Sequence, residues 1–409
     1  MREMKDSGIE WIGQIPNEWK IIQVKYLFKI GRGRVIAQTE LEEKGEYPVY
    51  SSQTKNNGCL GYISTYDFDI SQLTWTTDGA NAGTVFLREG RHNCTNVCGT
   101  LQPLTEYINL TFQKYALEHI AFYHKRADTN GFKIMNNEMA AIHTVCPPIK
   151  EQKKIADYLD NKCSVIDGLI EKQKISIKRL KEYRKSWLNE VMTKGINENK
   201  YLRDSEVEWV GNIPGNWNVV RFGKIANVNS QLVSPDEYMD SYQISPEHIE
   251  KDSGKLLRYS TVKEMGIISN NNLFHKGDIL YTKIRPNLNK VVIAPFEGLC
   301  SAEIYPLETT ENTKFVLYML LSDYFVSQVS LVIQDRVKMP KINRNELSRI
   351  LCCIPQIEEQ EKIVEVITDK LEKIDACLEQ KKALINKLTE YKKSLIYEVV
   401  TGKKEVPTI

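Results

Sequence analysis

The sequence predicts an α+β protein: two α/β-type domains separated by a pair of long antiparallel helices, a coiled coil, with an internal pseudo-two-fold repeat. Three observations predict it. The chain matches itself in two places, its longest amphipathic stretches are the two copies of the second match, and the segments between alternate short β-rich runs with short helical ones. A length of 409 residues also exceeds the ~250–300 at which single cores stop growing, so more than one domain is expected.

The first element is an opening motif. Residues 6–19 read Asp-Ser-Gly-Ile-Glu-Trp-Ile-Gly-Gln-Ile-Pro-Asn-Glu-Trp, and residues 204–217 read Asp-Ser-Glu-Val-Glu-Trp-Val-Gly-Asn-Ile-Pro-Gly-Asn-Trp, so Trp11 pairs with Trp209 at an offset of 209 − 11 = 198. Next come two divergent regions, 20–146 and 218–354. Each mixes β-rich runs, such as Leu73-Thr-Trp-Thr-Thr and Gly277-Asp-Ile-Leu-Tyr-Thr-Lys-Ile-Arg, with helical ones at 112–124 and 314–327. Runs rich in Asn, Ser, Thr and Gly at 51–58 and 76–83 mark turns.

The second match couples 147–193 to 355–401 without a gap, at an offset of 355 − 147 = 208, with roughly 20 of 47 positions identical. The shared apolar residues Ile155/Ile363, Ile166/Ile374, Ile177/Ile385, Leu180/Leu388, Tyr183/Tyr391 and Val191/Val399 recur at helical spacing. Each copy opens with Pro-x-Ile-x-Glu-Gln and closes near a glycine, Gly195 or Gly402, which are helix start and stop signals. About 45 residues at 1.5 Å each make a rod of roughly 67 Å, so each rod needs a partner and these twelve residues are the expected pairing stripe. Gln173 and Lys381 interrupt the stripe, so the coiled coil is expected to be imperfect. The expected boundaries are therefore 1–146, a helix at 147–195, a linker at 196–203, a second domain at 204–354 and a second helix at 355–409.

Composition sets the class. Hydrophobic residues are 42% and charged residues 26%, which is globular, and a net charge of +2 makes any basic surface local. Nine cysteines at 59, 94, 98, 146, 163, 300, 352, 353 and 377 form no regular framework, and the first ten residues are charged, so a reducing cytoplasm is expected. The longest apolar stretch, near 316–321, is far short of a membrane span.

Several chemistries lack their residues. No Gly-x-x-x-x-Gly-Lys-Ser/Thr phosphate loop occurs, and no Gly-rich cofactor loop with an Asn/Asp-Pro-Pro-aromatic tetrapeptide. Cys146-Pro147-Pro148-Ile149 lacks the polar first and aromatic last residue, and a helix start explains it. Cys94 and Cys98 beside His92 have no fourth ligand at a finger-like distance, so no metal site is expected.

What the divergent regions do offer is amides interleaved with cations, the types that read base edges and hold phosphates. The candidates in the first region are Ser52, Gln53, Lys55, Asn56, Thr77, Asn81 and Arg91. In the second they are Lys283, Arg285, Asn287, Asn289 and Lys290, then Gln334, Arg336, Lys338 and Lys341. Two like scaffolds with unlike polar runs fit a reader of two short sequences at a fixed separation.

On the Glu-Trp-x-Gly-x-Ile-Pro-x-x-Trp openings, the Pro-x-Ile-x-Glu-Gln helix starts and the 277–286 run Gly-Asp-Ile-Leu-Tyr-Thr-Lys-Ile-Arg-Pro, the chain resembles, over essentially its whole length, the specificity (S) subunit of Type I restriction-modification enzymes. The resemblance implies two target-recognition domains that bind the halves of a split double-stranded DNA site, with the helices as spacer and as dock for two modification (M) subunits. It implies that S-adenosylmethionine is used on the M subunit, and ATP and Mg on a restriction (R) subunit where one is present. No cofactor is expected on this chain. Two rival readings are a stand-alone DNA-modifying or nicking enzyme and a purely structural coiled-coil adaptor.

Overall fold

The computed structural model describes residues 2–129, 131–197 and 201–407. Its two compact units are Met1–Gln173 with Lys382–Ile409, and Lys174–Lys381. They cut across the expected boundaries because each long helix, Ile149–Lys194 or Ile357–Val400, gives half its apolar seam to each of two cores. Residues 198–200 of the expected linker lie outside the described residues.

In the first unit, Met4–Asp6 pairs antiparallel with Gln14–Pro16 and leads to Trp19. Lys20–Gln23 then pairs with His143–Cys146, which hands the chain directly to the first long helix. Between them lies a four-stranded antiparallel sheet in the order Val85–Arg88, Gln72–Thr76, Cys98–Pro103, Phe28–Arg32. A second sheet holds Tyr47–Tyr50 and Arg91–Cys94 in parallel. The helix Leu110–His124 starts where the Asn109 side chain accepts from the Phe112 amide at 2.8 Å. Trp19, Phe28, Trp75 and Phe112 are fully buried at the centre, with the Trp19 and Phe112 rings edge to face at 6.4 Å.

The second unit repeats this plan from a different sequence. Asn218–Arg221 pairs with Leu351–Ile354 before the second long helix, and the four-stranded sheet runs Val291–Ile293, Ile279–Thr282, Ile304–Thr309, Ala226–Val228. The helix expected at 314–327 is instead two, Thr313–Leu321 and Asp323–Ile333, bent by 60°. The break is at Ser322, whose backbone is extended and whose hydroxyl donates to the Met319 carbonyl. No single helix among the described residues is long and apolar enough to cross a membrane.

The two repeated motifs bind each other. The Trp19 indole N–H donates to Glu151 at 2.9 Å, and the Trp217 indole N–H donates to Glu359 at 3.2 Å. The neighbouring glutamines work alike: the Gln152 amide oxygen accepts from the Asn109 amide at 2.8 Å and that of Gln360 from Asn312 at 3.1 Å. Each glutamine also donates to the carbonyl of its own start proline, Pro147 at 2.8 Å and Pro355 at 3.0 Å. Burial pushes the Glu151 carboxyl up, but bonds from Arg2 and Trp19 outweigh it and hold it below the usual range. Gly402, left-handed at φ 72°, closes this corner, because a Cβ there would stand 2.5 Å from Pro16.

Within each unit the long-helix halves run antiparallel with one seam. Ile155, Leu159, Cys163, Ile166 and Ile170 in the first match Ile363, Ile367, Leu371, Ile374 and Leu378 in the second, all at the offset of 208 and spaced 4, 4, 3, 4. An ion pair is duplicated with them: Lys392 holds Asp167 at 2.6 Å in one unit, and Arg184 approaches Asp375 at 3.6 Å in the other. Of the expected stripe, Ile155, Ile166, Val191, Ile363, Ile374 and Val399 are buried, while Ile177, Leu180, Ile385 and Leu388 are half-buried. Tyr183 and Tyr391 correct the expectation. Their rings are exposed at 46% and 54%, because the seam steps 177, 180, 184, 188 and seats Arg184 where an apolar residue would stand.

Replacing Glu151 by Ala leaves a buried indole N–H without its acceptor, so urea unfolding should show about 1–3 kcal/mol lost from the first unit. Glu151→Gln, which keeps an acceptor, should lose less. A lowered folded-state value means the carboxylate's contribution is complete above its unfolded pKa of about 4.3 and fades as pH falls through the folded value. Wild type and the Ala variant should therefore converge in stability on acidification, and a constant gap would rule out the charged Glu151 as its source.

Candidate nucleic-acid interface

In the second unit the central strand Ile279–Thr282 delivers the chain into a tight turn. Arg285 and Asn289 are both left-handed, at φ 45° and 43°, on either side of the short turn Pro286–Leu288. The Arg285 amide donates to the Pro340 carbonyl at 2.7 Å, the Ile342 amide donates to the Lys283 carbonyl at 3.0 Å, and Ile284 bridges Lys341. The polar runs 283–290 and 334–344, some fifty residues apart in sequence, thus lie side by side.

Their cations gather at one rim. The Lys283 ammonium is 5.1 Å from the centre of the Tyr305 ring, and Arg344 is 5.9 Å from the same ring. Lys341 pairs with Glu303 at 2.8 Å, and Arg336 grips Glu346 through two guanidinium nitrogens. That hydrogen bonding raises the Arg336 pKa and lowers that of Glu346. Gln334, Asn287, Arg285 and Lys338 are exposed, and among the described residues neither Arg285 nor Lys338 has a carboxylate within 4.0 Å. Two of the expected residues turn inward. Asn289 is 1% exposed and holds the turn, and the half-buried Lys290 donates to the Pro246 carbonyl at 2.7 Å.

The first unit builds the same rim from other residues. Its central strand ends at Thr76, the Ile134 amide donates to the Thr77 carbonyl at 2.9 Å, and Gly131–Lys133 pairs with Asp78–Gly79. The strands Arg126–Asp128 and Gly131–Lys133 therefore take the place of 334–342. They bring Arg126 and Lys133 next to Lys125, which lies over the Phe122 and Phe132 rings at 4.2 and 4.4 Å. Sequence reasoning passed over these cations because mixed charges around a glycine turn look like any hairpin.

Next to it, Asn81 donates to the Thr54 hydroxyl at 3.3 Å, joining the turn at 78–83 to loop 51–58, which carries Ser52, Gln53, Lys55 and Asn56. Lys55 and Asn56 are exposed, while Ser52 and Gln53 are half-buried and Gln53 donates to the Cys59 carbonyl. The loop rests on Arg88, which the sequence did not single out. Fully buried, Arg88 stacks on Tyr50 at 3.6 Å, donates to Thr74 at 3.0 Å and to the Asn57 carbonyl at 2.6 Å, and has its pKa lowered by burial. Two expectations need correction. Thr77 is 1% exposed and donates inward to the Val97 carbonyl at 3.0 Å. Arg91 begins the strand whose far end, Cys94, lies beside Tyr50, so it is remote from the loop and pairs with Asp69 at 3.1 Å.

His92, Cys94 and Cys98 are committed to internal bonds. The imidazole contacts the Gly90 carbonyl at 2.8 Å and Gln72 at 2.9 Å, and the free, buried thiols of Cys94 and Cys98 share a hydrogen bond, which together with burial pushes Cys94 far up. One grouping, His275, Asp278 and Glu308, brings ligand atoms within 4.8 Å of each other. Asp278 already accepts from the His275 amide at 2.8 Å, and Glu308 accepts from Asn229 at 2.6 Å, so both carboxylates serve the local turns.

The Type I restriction modification DNA specificity domain matches twice, at residues 16–179 and 181–390. The chain belongs to that family. It is 27% identical over 376 residues to the Type I restriction enzyme EcoDI specificity subunit of Escherichia coli, covering 86% of this chain and 81% of that one. It is 34% identical over 191 residues to the Type I restriction enzyme MpnII specificity subunit of Mycoplasma pneumoniae, covering 44% of this chain and 57% of that one. A solved structure described under the assembly and conformational transition of the type I R-M system superposes with a TM-score of 0.71 at 13% identity, over 95% of this chain and 99% of that one, a likeness of fold.

For the specificity chain, Lys338→Ala should weaken binding to all DNA sequences and flatten the plot of log affinity against log salt by about one unit. Thr77→Val, an inward-facing change, should leave that slope unaltered. Equal slopes for Lys338→Ala and wild type would remove Lys338 from the phosphate contacts.

Proposed function

We propose that this specificity chain reads a split double-stranded DNA sequence, one half at the rim of each unit, and performs no bond-breaking step itself. The observation that carries this reading is the duplicated rim: one scaffold position filled by unlike sets of cations and amides, Lys283 to Arg344 in one unit and Lys55 to Lys133 in the other. Cations neutralise phosphates regardless of sequence, and amides and guanidinium groups discriminate base edges, so unlike sets select unlike half-sites.

Methyl transfer then falls to two modification subunits that bind S-adenosylmethionine, and cleavage, where it occurs, to a restriction subunit using ATP and Mg. Such an assembly works on the genome in the cytoplasm. The long helices set the gap between half-sites, since each is one uninterrupted element of 46 or 44 residues.

Methyladenine mapping in cells carrying this chain and its modification subunit should return one two-part motif. The purified chain alone, given DNA, Mg²⁺ and S-adenosylmethionine, should neither methylate nor nick, and methylation free of the modification subunit would overturn the division of labour. Four residues inserted after Ser176 advance the helix by about 6 Å and roughly one turn, nearly two base pairs of DNA. The mapped motif should keep both half-sequences and lengthen its gap, and a changed half-sequence with the old gap would mean that the helices read bases.

A further inference from the structure

Between the cations of the second rim stand two apolar side chains with nothing over them. Val337 is 94% exposed and Met339 is 55% exposed, in the run Arg336-Val337-Lys338-Met339-Pro340-Lys341. The segment is braced at both ends. Arg336 is tied to Glu346 and to the Lys341 carbonyl, its amide donates to Ile333 at 3.0 Å, and Pro340 accepts from the Arg285 amide at 2.7 Å. Met339 is left-handed at φ 47°, a conformation that an unbranched residue other than glycine, asparagine or aspartate rarely holds unless its surroundings impose it. The backbone is thus fixed so that three consecutive side chains, Val337, Lys338 and Met339, project from the rim.

We propose, building on the DNA-reading role above, that Val337 and Met339 form an apolar wedge that enters the base stack of the second half-site and unstacks one step. The occupant is duplex DNA because the wedge brackets the exposed Lys338 in sequence, its segment is tied by backbone to the run carrying Lys283 and the exposed Arg285, and Lys283 and Arg344 share the Tyr305 ring at the same rim, so these cations would meet phosphates beside it. An apolar protein partner would meet those cations as buried charges without counterions. Apolar side chains inserted between base pairs, flanked by phosphate-binding cations, kink the duplex, and flexible pyrimidine–purine steps admit them most readily. The wedge would therefore contribute specificity at a step that no hydrogen bond reads.

The test uses the full chain with its modification subunits and the motif mapped in cells, with 2-aminopurine placed in turn at each position of both half-sites. Wild type should raise the fluorescence at one step of the second half-site other than the adenine that the modification subunit methylates, a base that such enzymes turn out of the stack whether or not a wedge is present. The variant carrying Val337→Ser and Met339→Asn removes the apolar surface while Asn keeps the left-handed backbone. It should abolish that signal and lose ten-fold or more in affinity for the motif, with unrelated DNA bound as before and the salt slope unchanged. Thermal unfolding equal to wild type confirms that the variant folds. Three results overturn the wedge: full motif affinity in the variant, no fluorescent step in wild type beyond that adenine, or an affinity loss reproduced by replacing thymine with uracil, which indicates a groove contact to a methyl group. Failure of wild type to bind the mapped motif at all would instead overturn the DNA-reading role itself.

Discussion

The junction of each unit's main core with its long helix rests on one contact: a buried tryptophan whose indole donates to a half-buried glutamate at the start of that helix. Trp19 to Glu151 and Trp217 to Glu359 tie the end of each opening motif to the first turn of the helix that follows it more than a hundred residues later. The adjacent glutamine extends the tie to Asn109 or Asn312, the residue that caps the next helix inward. Opening motif, domain helix and long helix therefore share one small, partly buried polar cluster at the edge of an apolar core. In such a place an unmatched group is expensive, so the partners are specified jointly.

That cluster explains how the intervening sequence can change so far without loss of the fold. The sheet of each unit needs only alternating apolar positions, and these are filled by Leu73, Trp75 and Leu101 in one and by Ile279, Tyr281 and Leu307 in the other. The strand ends carry polar residues into the turns at 77–84 and 283–290, where Thr77 and Asn289 turn in and their neighbours face out. The cross-links Ile134 to Thr77 and Ile342 to Lys283 are made by the backbone, so they hold the rim together whatever side chains project from it. A frame repeated within the chain with unlike rims is the arrangement a reader of two sequences requires, and membership of the DNA specificity family is consistent with that physical logic.

The rim also shows how charge is arranged without dominating the chain. Arg336 and Lys341 are neutralised by Glu346 and Glu303 and act as braces, leaving Lys338 and Arg285 to face outward. In the first unit the brace is Arg88, stacked on Tyr50 and hydrogen-bonded to the loop it supports. A net charge of +2 over the whole chain conceals both clusters, since paired and unpaired cations count alike in a sum.

The repeat, the two long helices with their start and stop, the α+β class and the two polar runs of the second region are legible in the amino-acid order, because each is written in local spacing or in literal self-similarity. Which polar residues face outward depends on how distant strands and turns pack. Thr77 and Asn289 look like their exposed neighbours in sequence, yet their strand end and left-handed turn carry them inside. Lys125 and Lys133 gain their place from the pairing of Gly131–Lys133 with Asp78–Gly79, a contact across fifty residues that no periodicity records. Tyr183 and Tyr391 missed the seam for a related reason: a helix turns 3.6 residues at a time, so a stripe read from spacing drifts by one position over several turns. Which neighbour packs is then settled by the opposing surface, and at Arg184 that surface offered Asp375 and the Asp252 carbonyl.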